Sequence, residues 1–343
     1  MFTKENTNVC KGFAIILLLF HHFPWAQEVG SGQLSSILSA VAVGARVCVW
    51  VFVFLSAYGI SYKYLNLKNK NYFVLKQWLS LMMPFWFLYV LILPVCFVMG
   101  HSFDEIYSGN VVYLLLDFMG VSDLFGTGKA VGVFWYMCLA QIILFIVPFI
   151  ISISRKFGYL TIILAFIVSL FLNDSIVTYN GGSYLDYLPA VVIGVVFAER
   201  NVMNRLSSFF SRPFFQVTGF TICMLAAILL MIFREALIND NICHIKGMLS
   251  SVSAVAICVG FGVFVRLKLF VKPFAFIGSY SGTMFIIHAL FLFVLKQYIF
   301  IFNNAFVDFV ILFLVSLIVS ILLNTFRKLV GYDKLLSIIF KKI

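Results

Sequence analysis

The sequence predicts an all-α fold: a polytopic membrane helical bundle of about ten transmembrane helices, with the N- and C-termini both cytoplasmic. Three observations carry this. Of 343 residues, 63% are hydrophobic and only 11% charged, against about 45–50% and about 25% in soluble domains. The apolar residues come in long runs, and one crossing of a ~30 Å hydrocarbon layer takes about 20 of them as helix. The basic residues gather in alternate loops. These features exclude a soluble enzyme, a disordered chain and a disulfide-stapled secreted module. They also argue against an outer-membrane barrel, whose strands alternate apolar and polar residues.

Taken in order, the apolar segments are 12–25, 41–62, 72–98, 131–153, 159–172, 185–198, 214–233, 245–265, 283–302 and 306–323. A further stretch, 111–119, lies in the longest loop. It is too short to span and contains Asp117, so it reads as an interfacial segment or short helix. No internal repeat or linker is visible, and residues 1–343 are taken as one domain. His21-His22-Phe23-Pro24-Trp25 follows the first apolar run with no small-x-small cleavage site, so that run does not read as a signal peptide.

The positive-inside rule orients the chain. With the N-terminus in the cytoplasm, every basic residue falls on that side except Lys129, Arg234 and Lys246 on the outer side and Arg46 and Lys296 within spans. Every acidic residue except Glu5, Glu199 and Asp333 falls on the outer side, whose loops are 26–40, 99–130, 173–184, 234–244 and 303–305. The net charge of +11 therefore reads as cytoplasmic loops facing the anionic lipid of the bilayer. No basic face interleaved with aromatics points to nucleic acid. The seven Cys include no C-x-x-C pair and fall mostly inside apolar runs. They read as small buried hydrophobes, with no metal site or disulfide framework.

Ionisable groups at membrane depth cost at least a few kcal/mol and mark candidate sites. Lys11 sits at the cytoplasmic end of the first span, and His22 follows eleven residues later, about 16 Å deeper. Adjacent helical residues point about 100° apart, so one of His21 and His22 faces a cavity and the other a neighbouring helix. An imidazole there serves as a general base or as a histidine hydrogen-bonded within the bundle; position alone leaves both open. Arg46 lies a few residues into the second span. It keeps its proton and needs an anionic or carbonyl-bearing partner, or snorkels to the headgroups. Lys296 reads as deep in the ninth span, two turns after His288, which reads as near that span's cytoplasmic third. Ser56 and Tyr58 lie inside the second span. Trp135 and Tyr136 open the fourth, where aromatic belts are expected anyway. Asp104, Glu105, Asp117 and Asp123 make the long loop acidic, as a solvated surface or as part of an acceptor site.

Three stretches in order resemble the acyltransferase-3 family of integral membrane acyltransferases. Lys11-Gly-Phe-Ala-Ile-Ile-Leu-Leu-Leu-Phe-His21-His22 resembles the family's opening motif, a basic residue and then His after ten positions. Val51-Phe-Val-Phe-Leu-Ser56-Ala57-Tyr58-Gly59 resembles its FFxLSG-[FY] segment, with Ala57 in place of Gly. Ile277-Gly-Ser-Tyr-Ser281-Gly-Thr-Met-Phe-Ile-Ile-His288 resembles its late segment. Phe134-Trp135-Tyr136-Met137 is similar to a further WFL-type motif. Arginines that the family often carries before the Pro of the third span are missing; only Lys76 is basic ahead of Pro84.

The resemblance implies transfer of an acyl group, most often acetyl, from acyl-CoA to a hydroxyl of a cell-envelope polysaccharide or lipid-linked glycan at the cytoplasmic membrane. Acyl-CoA (acetyl-CoA) is then a donor substrate, and no cofactor is held tightly. The family spacing favours His22 over His21 as the catalytic imidazole. Arg46 would stabilise the oxyanion and Lys11 and Lys76 would attract donor phosphates. Ser56, Tyr58, Trp135, Tyr136 and His288 are expected to bind substrate. Two other functions fit the same scaffold: an exporter of polysaccharide or its intermediates, and a non-catalytic partner in envelope synthesis.

Overall fold

The structure, a computed structural model, describes residues 3–27, 36–172, 178–179, 182–209, 213–237, 243–264, 268–302 and 304–342. The expected outer-loop residues 28–35, 173–177 and 238–242, and the basic residues Arg212 and Arg266, lie outside this set. In chain order the helices are α1 (Lys4–Gln27), α2 (Ser36–Gly44), α3 (Cys48–Asn66), α4 (Phe73–Val98), α5 (Phe103–Tyr107), α6 (Val111–Phe118), α7 (Trp135–Phe157), α8 (Leu160–Phe171), α9 (Leu188–Glu199), α10 (Val202–Phe209), α11 (Pro213–Ala236), α12 (Cys243–Val259), α13 (Lys268–Ala289), α14 (Ala305–Leu329) and α15 (Tyr332–Lys342). A two-residue antiparallel ladder pairs Thr178 with Ser183 and Tyr179 with Gly182. The all-α expectation holds. Lipid supplies no hydrogen-bond partners, and a helix satisfies its own backbone.

Among the described residues, seven stretches are long and apolar enough to cross a membrane: Ala40–Asn66, Phe73–Val98, Gly132–Phe157, Phe214–Ala236, Ile245–Gly262, Val271–Val294 and Ala305–Leu329. The other three expected spans form helices of a different kind. Helices α8 and α9 have 12 residues each, about 18 Å of rise against a ~30 Å hydrocarbon layer. Helix α1 is 24 residues long but carries Lys4, Glu5 and Lys11. Helix α9 is apolar because it is buried, with every residue from Pro189 to Val196 inside the protein. A helix apolar on all sides is a core helix or a membrane span, and letters alone do not separate the two.

The ninth expected span is shifted. The observed crossing runs from Val271 to Val294, so it begins well before Thr283. Gly278, Ser279, Ser281 and Gly282 dilute the apolar letters of its first half. His288 consequently lies within two turns of the C-terminal end of this span. Lys296 falls beyond that end, in a 3-10 turn at Lys296–Tyr298, and is not deep in the membrane segment.

The chain packs as two compact units. The first comprises Met1–His21, Val43–Asn69 and Ile143–Ser281. Helices α3 and α9 pack side by side in it, with Phe54 set edge-on to Phe197 at 5.8 Å. The Trp50 indole donates to the Asp186 carbonyl at 3.1 Å. The early part of α1 docks on a π-helical turn at Gly260–Phe264: Asn6 donates to the Gly262 carbonyl at 2.9 Å and Phe13 stacks on Phe261 at 4.2 Å. Where α1 meets α13, backbone touches backbone. A Cβ on Gly12 would sit 2.0 Å from the Phe274 carbonyl oxygen, and one on Gly278 would sit 1.9 Å from that of Asn8. Small residues permit this approach between helices in a membrane.

The second unit comprises His22–Ala42, Lys70–Ile142 and Gly282–Ile343. Phe23 packs against Phe300 and Phe309, with ring centres at 5.5 and 5.7 Å. Asn324 on α14 donates to the Thr283 hydroxyl at 2.9 Å. Helix α15, which the apolar-run reading does not mark, is held by Tyr332 against Phe87 and by an Arg327–Asp333 ion pair at 2.8 Å.

A Gly278→Val substitution puts side-chain carbons where the Asn8 backbone stands, which no rotamer change relieves. Destabilisation of about 1–3 kcal/mol or more is expected, measured as a lower melting temperature in detergent. Gly282→Ala, where nothing lies within 4 Å, is expected to be neutral or slightly stabilising.

Candidate active site

The second unit brings two of the sequence candidates into direct contact. His22 Nδ1 and His288 Nε2 are 2.8 Å apart. The ring planes differ by 3° and the centroids are 5.1 Å apart. That separation is close to the nitrogen–nitrogen distance plus a ring radius at each end, so the imidazoles meet edge to edge in nearly one plane. His288 is fully buried; His22 is half-buried. The other nitrogen of His288, Nδ1, lies 3.1 Å from the Met284 carbonyl one turn earlier on α13. Phe285 and His288 meet in a T-shaped arrangement, centroids 6.0 Å apart and planes at 64°. Tyr136 packs on Phe285 at 4.9 Å and Trp135 stands edge-on to Tyr136 at 6.0 Å. His22, His288, Tyr136 and Trp135, far apart in sequence, thus form one connected series of rings through Phe285.

The other candidates lie elsewhere. His21 is buried at the end of the first unit's share of α1. Lys11, half-buried, is in that unit within range of the charges of Lys63 and Lys4. Arg46 sits in a 3-10 turn at Ala45–Val47. It is exposed and close enough to Arg234 for their charges to interact. Arg234 in turn is buried, paired with Glu235 and 5.9 Å over the Trp50 ring. Ser56 is half-buried on α3. Tyr58 is buried between Phe54 and Tyr62, one turn to either side, at 6.2 and 6.3 Å. Lys76 stands half-buried in the first turn of α4 in the second unit.

The long 99–130 loop is more than a solvated acidic surface. Of the interfacial segment or short helix expected at 111–119, the structure shows the short helix, α6, with Val111, Val112 and Leu115 exposed. Asn110 caps its start by accepting from the Val112 N–H at 2.8 Å. At its end the Gly120 N–H donates to the Asp117 carbonyl at 2.8 Å and the Val121 N–H to that of Leu116 at 2.9 Å. Gly120 adopts φ +68° there, a value that suits glycine.

Asp117 faces inward and is fully buried. Its Oδ2 accepts from the Ala130 N–H at 2.8 Å and from the hydroxyls of Tyr107 at 2.9 Å and Tyr89 at 3.3 Å. Its Oδ1 accepts from Ser122 at 3.2 Å. Asp123 is also buried, paired with Lys129. Gln141, which sequence reasoning missed, closes the assembly. Its amide donates to the Met119 and Gly120 carbonyls at 3.0 and 3.1 Å, and its oxygen accepts from the Trp78 indole at 2.8 Å. An amide inside an apolar span was the available signal.

The chain is therefore a multi-pass membrane protein with a pair of imidazoles joined by a hydrogen bond at the meeting of α1 and α13. A family model described as an acyltransferase domain, that of the acyltransferase-3 family, matches residues 5–325. The chain belongs to that family and is a membrane acyltransferase. No curated protein and no solved structure matches it.

Burial pushes the Asp117 carboxyl up to about 6, against the pull of the Ala130 N–H and the hydroxyls of Tyr107, Ser122 and Tyr89. A carboxyl raised in the folded state adds stability that is complete below its ordinary value of 3.8 and is lost as the pH rises through about 6. The span is worth roughly 3 kcal/mol. The melting temperature of the wild-type protein, compared with Asp117→Asn, is expected to gain as the pH falls from about 7.5 to about 5. A difference that is flat with pH removes this assignment.

Proposed function

We propose that the chain moves an acyl group, acetyl being the simplest, from acyl-CoA in the cytoplasm to a hydroxyl of a cell-envelope polysaccharide or lipid-linked glycan. The site of action is the cytoplasmic membrane, and His22 is the general base. One observation carries the reading: the His that follows Lys11 at the family spacing meets a second, fully buried imidazole at 2.8 Å. An imidazole takes up and returns a proton near neutral pH, which is what acyl transfer requires.

The step balances as follows. The acceptor hydroxyl gives its proton to His22 while its oxygen attacks the thioester carbonyl carbon. The carbonyl electron pair moves onto oxygen, then returns as the carbon–sulfur bond breaks. The CoA thiolate leaves and takes the proton back from His22. The products are an ester and free thiol, with no external oxidant or reductant.

Lys11, with Lys63 and Lys4 near it, presents positive charge for the donor phosphates at the cytoplasmic side, with Lys76 as a further contributor. That cluster offsets the absence of arginines before Pro84. Arg46 makes no ion pair among the described residues and is assigned to the developing oxyanion. Trp135 and Tyr136, connected through Phe285 to His288, offer aromatic faces to the acceptor sugar. Ser56 and Tyr58 serve as further substrate contacts.

His22→Ala is expected to lower transfer of labelled acetyl from acetyl-CoA in membranes by at least the roughly 10²–10⁴-fold that general-base catalysis supplies, at unchanged expression. Mass spectrometry of the envelope glycan should show the corresponding loss of ester. Wild-type transfer by the variant would end the general-base assignment. No acetyl-CoA consumption by the wild-type protein would favour export over transfer.

A further inference from the structure

We infer that His288 is a positioning residue: it fixes the tautomer of His22, so that Nε2 of His22 is the nitrogen that takes the acceptor's proton. This rests on the proposed function and goes beyond it, since that reading needs only some imidazole base.

The Met284 carbonyl only accepts, so His288 Nδ1, 3.1 Å away, carries a hydrogen. In a neutral imidazole one nitrogen donates and the other accepts, so His288 Nε2 presents its lone pair. His22 Nδ1 lies 2.8 Å from that lone pair and must be the donor. The remaining nitrogen of His22, Nε2, then carries the lone pair of a base. The near-common plane of the rings, 3° apart, points the Nδ1–H bond along the acceptor's lone pair, where a hydrogen bond is strongest.

In the reaction, His22 Nε2 gains the acceptor's proton while Nδ1 keeps its own. The bond to His288 becomes charge-assisted and tightens. When the thiolate takes the Nε2 proton, the starting tautomer is restored, and His288 neither gains nor loses a proton. The choice of imidazole as orienting group follows from the surroundings. A carboxylate would do the same job but would bury a full negative charge in the span, at a cost of several kcal/mol. A backbone-anchored neutral ring orients the base with no resting charge.

Kinetics of three variants in nanodiscs, with 15N NMR of histidine-labelled wild-type protein, test this. His288→Leu removes the acceptor. It should lower kcat by about 10²-fold or more, with the acetyl-CoA KM unchanged and the melting temperature near wild type. His288→Gln places a carbonyl oxygen near the position of Nε2 and should recover kcat to within about tenfold of wild type. The wild-type His22 signals should report hydrogen on Nδ1 and none on Nε2. Hydrogen on Nε2 overturns the inference whether or not any variant folds. So does His288→Leu at wild-type kcat, or His288→Gln as impaired as His288→Leu. His22→Ala separates the two levels: full activity there sinks the general-base reading itself, whereas an inactive His22→Ala beside a fully active His288→Leu sinks only the role of His288.

Discussion

The interior of a bilayer offers no hydrogen-bond partner, so each polar group placed there must find one within the chain. The described architecture follows from that constraint. Backbone amides satisfy one another as helices. Ser250, Ser251 and Ser253 on α12 return their hydroxyls to carbonyls a turn earlier. Gln141 on α7 and the two imidazoles likewise meet defined donors and acceptors, Trp78, Met119 and Gly120 for the amide and Met284 for His288. A donor or acceptor left alone at such depth costs several kcal/mol, so these partners are held in a single geometry.

The same constraint bears on the proposed chemistry. A base reached only through water would sample many orientations. His22 instead meets a ring whose far nitrogen is tied to the backbone of its own helix. The two helices that carry these rings are brought backbone to backbone in the first unit by Gly12 and Gly278, and their contact in the second unit is polar. Close packing by glycine and orientation by a hydrogen bond act on the same helix pair, α1 and α13, within separate parts of the chain.

Much of this was legible in the letters. Apolar runs located all of the long helices, and the Lys11–His22 and Gly278–His288 spacings marked the two helices that matter for the site. The errors share one cause. Hydropathy measures removal from water and does not distinguish lipid from protein as the apolar surroundings. So α9, wrapped by other helices, read as a span. The glycines and serines of α13, of which Gly278 packs against the backbone of Asn8, read as a gap that displaced the ninth span and misplaced Lys296. Asp117 read as one more acid in a loop because its partners, Tyr89, Tyr107, Ser122 and Ala130, come from segments up to about forty residues apart.

By itself the sequence determined the class of fold, the membrane setting and the short list of imidazoles, because composition and local periodicity depend on neighbours along the chain. Tertiary structure alone decided that His22 pairs with His288, that Gln141 and Asp117 anchor the 99–130 segment, and that α9 lies inside the protein. Those facts depend on contacts between residues distant in the chain, from a few tens of positions around Gln141 to the 266 that separate the two histidines. No local pattern encodes such a distance; the packing of whole helices sets it.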